Sequence, residues 1–135
     1  MEDAELQNSY LEFQMLDQQL KQAQKQLQLL EEQLVEIIFT IQSLDELKEV
    51  KQGTEILVPV NSGVYAHATL GEVKDVVVNV GAGTAVEKSI LSTKEMLSKQ
   101  LEEVQTLRQQ LVQFVSKMET ELISRQKDLS DRIGE

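Results

Sequence analysis

The residues of this 135-residue chain that could perform covalent chemistry do not fall into a catalytic motif. There is no cysteine, which excludes a thiolate nucleophile, a disulfide framework and a zinc ribbon. His67 is the only histidine, and it alternates with Tyr65 and Thr69 without a second imidazole to complete a metal set or a triad. Gly81-Ala82-Gly83 lacks the third glycine of a dinucleotide fingerprint, because Val86 stands in its place. Gly83 to Ser89 imitates a phosphate loop, yet the glycine before Lys88 is missing and Glu87 would repel a phosphate. No enzyme activity, cofactor or metal site is expected. Tyr10, Leu11, Met15, Ile123 and Ile133 are large, apolar and outside the helical seam defined below, so they are candidates for a binding surface. Met15 adds a soft, adaptable contact suited to partners without fixed shape. The competing reading is that they are the scattered apolar residues any surface carries.

That seam is a heptad repeat. Leu6, Phe13, Leu20, Leu27, Leu34 and Ile41 fall seven apart, and Leu16, Ala23, Leu30, Ile37 and Leu44 stand three further on. Only Ser9 interrupts. A regular a/d pattern over this many heptads predicts a coiled coil. With Leu6 at a, Tyr10 falls at e, Leu11 at f and Met15 at c. A second heptad run from Ile90 to Leu129 includes Leu97, Leu101, Val104, Leu111, Val115, Met118 and Leu122. Taking Ile90 as d puts Ile123 at b and Ile133 at e. Lys94, Arg108, Arg125 and Arg132 occupy a/d positions of this second run, either with stems snorkelling outward or as polar residues that fix register. Ser92-Thr93-Lys94-Glu95 has the form of a capping box, with Ser89 as the alternative cap.

Residues 4–52 are rich in good helix formers and would make a rod of about 73 Å. Gly53 follows, where a left-handed C′ residue could end the helix. The two runs match in length. If they fold back on each other, opposed residue numbers sum to about 137, with Leu6 beside Asp131 and Phe13 beside Ser124. Both chain ends then lie together at a far tip.

Five of the six glycines and the only proline lie between residues 53 and 83, where the apolar period changes to two. Ile56, Val58 and Val60 share one strand face, Val64, Ala66, Ala68 and Leu70 another, and Val76, Val78 and Val80 a third. Asn61-Ser62-Gly63 and Gly81-Ala82-Gly83 are turn signals, so two β-hairpins in tandem are expected. Pro59 has no N–H and suits an edge strand or a bulge. An isolated hairpin is marginal in water. Ile56, Val58, Val60, Val64, Ala66, Ala68, Val76, Val78 and Val80 are therefore expected to pair with other subunits. The reading is one domain: a helix over 1–52, a double β-hairpin over 53–88 and a return helix over 89–135. The fold class is mainly α with small β, an antiparallel two-helix coiled-coil hairpin joined by two β-hairpins.

The window Glu55 to Leu70 contains Leu57-Val58-Pro59 and Gly63-Val64-Tyr65, and Val80-Gly-Ala-Gly-Thr-Ala-Val-Glu-Lys88 follows it. This window resembles the prefoldin family, and its two hairpins resemble the α-class rather than the β-class subunit. The resemblance covers essentially the whole chain. It implies an ATP-independent chaperone in which two α and four β-class subunits assemble through β-barrels. Their coiled-coil tips, with Tyr10, Leu11, Met15, Ile123 and Ile133 as the client-contact candidates in this chain, would capture unfolded polypeptides and deliver them to a group II chaperonin. An archaeal-type, cytoplasmic member is expected, since no low-complexity tail is present. The alternative is a prefoldin-like scaffold or tether that binds no client.

Charge supports part of this reading. The net charge is −10, which opposes binding to nucleic acid or anionic lipid. Residues 1–52 hold 4 basic against 11 acidic residues and residues 84–135 hold 8 against 9, so an intramolecular pair of helices repels less than two copies of the first. No apolar run is long enough for a membrane span, and the acidic Met1-Glu2-Asp3 start lacks a signal-peptide pattern. Val35, Ile38 and Phe39 form a second off-seam group, expected to pack beneath the sheets or against a neighbouring subunit. Leu107, Val112 and Phe114 widen the apolar stripe mid-helix, as core or as cavity surface.

Overall fold

A computed structural model describes residues 2–134. Its elements run α1 (Glu2–Glu49), β1 (Glu55–Asn61), β2 (Val64–Thr69), β3 (Asp75–Gly81), β4 (Thr84–Ser89) and α2 (Ile90–Ile133). The chain divides into two compact units. One comprises residues up to Leu34 and from Glu103 onward; the other runs from Val35 to Glu102.

The first unit is a pair of antiparallel helical stretches closed along the heptad seam. Leu20, Ala23, Val115 and Met118 form its buried core, with Leu16, Leu111 and Leu122 packed against them. All seven are a/d residues. Opposed numbers across this core sum to 138, as in Leu20 with Met118, within one residue of the register read from the sequence. The whole seam follows the pattern: every a/d position of α1 from Leu6 to Leu44 is buried or half-buried.

The basic residues in the α2 seam do not simply point their heads into water. Arg125 Nη1 donates to Glu12 Oε2 at 2.7 Å, and Arg108 Nη2 lies 3.3 Å from Glu31 Oε1. In the second unit Lys94 pairs with Asp45. Each of these three cations of α2 thus meets a carboxylate of α1, at sums of 137, 139 and 139. Arg125 also donates to Glu121 at 3.2 Å. Hydrogen bonds to Glu12 and then Glu121 raise its already high pKa. Arg132 pairs within its own helix, 3.6 Å from Asp128.

The second unit holds the two hairpins, each a separate two-stranded antiparallel sheet. β1 pairs with β2 in the register Ile56 to Ala68 and Val58 to Ala66, and β3 with β4 in the register Val76 to Lys88 and Val78 to Val86. Both turn through two left-handed residues, Ser62-Gly63 and Ala82-Gly83, the geometry of a type I′ hairpin. Both also shift register shortly before the turn, between Pro59 and Asn61 and between Asn79 and Gly81. The second hairpin therefore repeats the first at an offset of 20 residues. In the second, Asn79 Oδ1 accepts the Gly81 N–H at 3.0 Å, fixing the bulge.

Two local expectations are corrected. Gly53 is left-handed (φ 88°) but does not end α1, which stops at Glu49. It sits instead in the turn closed by Thr54 N–H to Lys51 C=O, and its own N–H donates to Leu70 C=O at 2.8 Å. The glycine thus feeds the chain into the first hairpin. The capping box at Ser92 is also unused. α2 begins at Ile90, Ser89 Oγ accepts the Ser92 N–H at 3.1 Å, and Ser89 is the cap. Burial of Ile90 and Thr93 draws the first turn into the seam and moves the start upstream.

Candidate functional site

α1 and α2 present one side to their shared seam, so apolar residues at b, c, e and f stay outside it. Tyr10, Leu11, Met15, Ile123 and Ile133 all do so, at 52–67% exposure. Three of them, Tyr10, Leu11 and Ile133, line an open groove of about 360 Å³ completed by Leu6, Gln7 and Leu129. Met15 and Ile123 are exposed but are not among the residues lining that groove. Leu6 and Leu129 belong to the seam, and sequence spacing did not mark them as part of a site. They line it because the register sets Leu6 of α1 between Leu129 and Ile133, which lie one helical turn apart on α2. Gln7 and the Tyr10 hydroxyl are the polar groups of an otherwise apolar lining. Its chemistry is burial of apolar surface.

A polar recess shares the Leu6 wall, lined by Glu2, Asp3, Glu5 and Arg132. A second open groove of about 350 Å³ lies further along the same unit, between Gln26, Leu30, Leu107, Gln110, Leu111 and Phe114. Leu107, Val112 and Phe114 are exposed, so they are surface and not core. In the other unit Val35, Ile38 and Phe39 are exposed as well.

The hairpins carry apolar residues on both faces. Val58, Val60, Val64, Ala66 and Val80 are exposed, while Ile56, Ala68, Val76 and Val78 are half-buried. Leu57, Tyr65 and Val77 are exposed on the opposite faces and were missed by a reading that followed only one side of each strand. Their signal was present in the sequence: three consecutive apolar residues at 56–58, and again at 76–78, break strict alternation. His67 faces Leu57 across the first hairpin. Among the described residues no group of three or more His, Cys, Asp or Glu side chains is placed to hold a metal ion. No described helix is long and apolar enough to cross a membrane.

The family described as "Prefoldin subunit" matches residues 16–133, nearly the whole chain. The chain belongs to the prefoldin family. Its relatives point to the α class. A protein named "Prefoldin subunit alpha" from Methanosarcina mazei is 30% identical, over 82% of this chain and 82% of its own length. Another of that name from Methanothrix thermoacetophila is 42% identical over 57 residues, 42% of this chain, and the match spans only 37% of that relative's length. The solved filamentous PFD from Methanocaldococcus jannaschii superposes with a TM-score of 0.72 at 19% identity, covering 83% of this chain and 93% of that one. That likeness establishes the prefoldin fold: two long helices joined by two small antiparallel hairpins.

Proposed function

We propose that this prefoldin chain is a subunit of an ATP-independent chaperone that holds unfolded polypeptides. The observation that carries the reading is the chain-end groove, where Tyr10, Leu11 and Ile133 are left outside the coiled-coil seam and open to solvent. A rod serving only as a tether gains nothing from such residues. It would keep its b, c, e and f positions polar to remain soluble. A client segment covering the groove would bury apolar side chains in a shallow site, giving weak and reversible contact. Several such sites on one assembly would reinforce one another through effective concentration.

The assembly is proposed to be a cytoplasmic hexamer of two α and four β-class subunits. Ile56, Val58, Val60, Val64, Ala66, Ala68, Val76, Val78 and Val80 would knit hairpins of neighbouring subunits into β-barrels. Apolar residues on both hairpin faces support this, because a two-stranded sheet cannot shield either face alone. Delivery of captured clients to a group II chaperonin completes the proposed cycle.

The experiment is light scattering of a denatured test protein diluted into buffer containing this chain and a β-class partner. Suppressed aggregation is expected. Removing residues 1–10 and 124–135 should abolish the suppression while native mass spectrometry still finds the hexamer. Aggregation that proceeds unaffected by the untruncated assembly would favour the tether.

A further inference from the structure

The chain-end groove has an asymmetric border. Its wall at Leu6 is shared with the recess formed by Glu2, Asp3, Glu5 and Arg132. Glu2, Asp3 and Glu5 lie in the first turn of α1, are exposed, and make no ion pair among the described residues. The one cation lining the recess, Arg132, is already engaged by Asp128. Arg125 is likewise held between Glu12 and Glu121. Residues 2–12 carry four acidic and no basic residues, and residues 121–134 carry three of each. Among the described residues of these stretches that make no ion pair, Glu2, Asp3 and Glu5 of α1 and Asp131 of α2 are negative and Lys127 is positive, so the charge left beside the groove is negative and comes mainly from α1.

We propose, building on the holding function above, that this groove selects polypeptide segments in which an apolar anchor is flanked by lysine or arginine. The apolar residues would fill the space among Leu6, Tyr10, Leu11, Leu129 and Ile133, while a neighbouring cation reaches the carboxylates of Glu2, Asp3 and Glu5. Charge complementarity at a rim gives partner choice and faster encounter more than raw affinity. That suits a site which must discriminate among unfolded chains without gripping any of them. The first-turn carboxylates have a second effect, since they favour the positive end of the α1 dipole. That local role does not distinguish the charge of a ligand, so ligand charge is the variable to test.

Three fluorescent peptides with one apolar core and Lys, Ser or Glu flanks would be titrated against the unaltered chain by anisotropy at low salt. The Lys-flanked peptide is expected to bind about tenfold tighter than the Glu-flanked one, from a few exposed ion pairs. The preference should fade toward unity at about 0.5 M salt, roughly where screening shortens to a few ångströms. In the E2Q/D3N/E5Q variant the Lys-to-Glu ratio should collapse. In Arg132→Glu it should widen, an outcome that fraying of α1 could not produce. Equal binding of all three peptides to the unaltered chain would overturn the charge selection and leave the holding function standing. Failure of every peptide to bind would overturn both.

Discussion

Replacing Leu11 and Ile133 with serine tests whether client contact and folding reside in different side chains. Both border the chain-end groove, and they are 55% and 67% exposed. Full burial of a Leu or Ile side chain stabilises by about 1.5–3 kcal/mol. Only the exposed part remains to be covered by a client, so each contributes about 1–1.5 kcal/mol of contact. Each serine should then weaken binding of a monovalent apolar peptide roughly 5- to 15-fold, since about 1.4 kcal/mol is a factor of ten. Stability should hardly move, because exposed substitutions generally fall within about 0.5 kcal/mol. Leu20→Ala provides the opposite control. Leu20 is 7% exposed in the core with Met118, and its truncation should cost about 2–4 kcal/mol of stability. Fluorescence anisotropy reads the binding and thermal circular dichroism reads the fold. A monovalent peptide is needed because multiple sites on one assembly would mask a single weakened contact. Peptide affinity unchanged in the double serine variant, with the helices intact, would refute the placement of client contact at this groove.

Ser89→Ala should lower stability by about 1 kcal/mol while Ser92→Ala leaves it near the starting value, because Ser89 caps α2; thermal melts compare the two. Gly63→Val puts a β-branched residue at φ 82° in the first hairpin turn, where no neighbouring atom blocks a side chain, so backbone strain of about 1–2 kcal/mol is expected. Native mass spectrometry with the proposed β-class partner should show weakened assembly for Gly63→Val and no change for Gly71→Ala, which lies outside any left-handed turn. Arg108→Glu should destabilise by about 0.5–1 kcal/mol at low salt, and adding Glu31→Arg should restore most of it. Absence of coupling in that double-mutant cycle would show that the contact does not set the register.

The fold was legible because its two periods differ. A seam of period 3.5 and strands of period two cannot be mistaken for each other, and glycine with Pro59 marks the change between them. Register was legible as well, since matching the two runs end to end selects one antiparallel alignment among those that oppose apolar with apolar. Local termini were harder. Ser92-Thr93-Lys94-Glu95 satisfies a capping pattern, but the pattern does not register that Ile90 is already drawn into the core. Gly53 has the left-handed conformation its type suggested, in the service of a turn beyond the helix end. Pro59 signalled the bulge beside it. Its counterpart at Val80 had no such mark, since a period-two reading assumes an uninterrupted strand. Of the candidate site, residue types and exposure could be read from heptad position. That Leu6 and Leu129 join it could not, because a seam label hides the fact that a seam must open at its end.

The basic residues at α2 a/d positions show why that seam can hold its alignment while the groove stays apolar. Leucine-rich seams of similar helices are nearly degenerate to a slip of one heptad, since one leucine replaces another. Arg125, Arg108 and Lys94 remove that degeneracy. Their intervals along α2 are 17 and 14 residues, and their partners Glu12, Glu31 and Asp45 are spaced 19 and 14 along α1. A slip of about seven residues in one direction sets these cations opposite Gln19, Ile38 and Gln52, and no pair survives. A slip in the other direction sets them opposite Glu5, Gln24 and Ile38, and only the first finds a carboxylate. Each exposed pair is weak, yet two or three are lost at once, so the penalty falls on the misaligned state. Register fixed in this way decides which residues meet at the chain ends. The apolar groove then depends in part on an ion pair remote from it along the helices, Arg108 with Glu31, and disrupting Arg108 should weaken peptide binding at the groove before it melts the coiled coil.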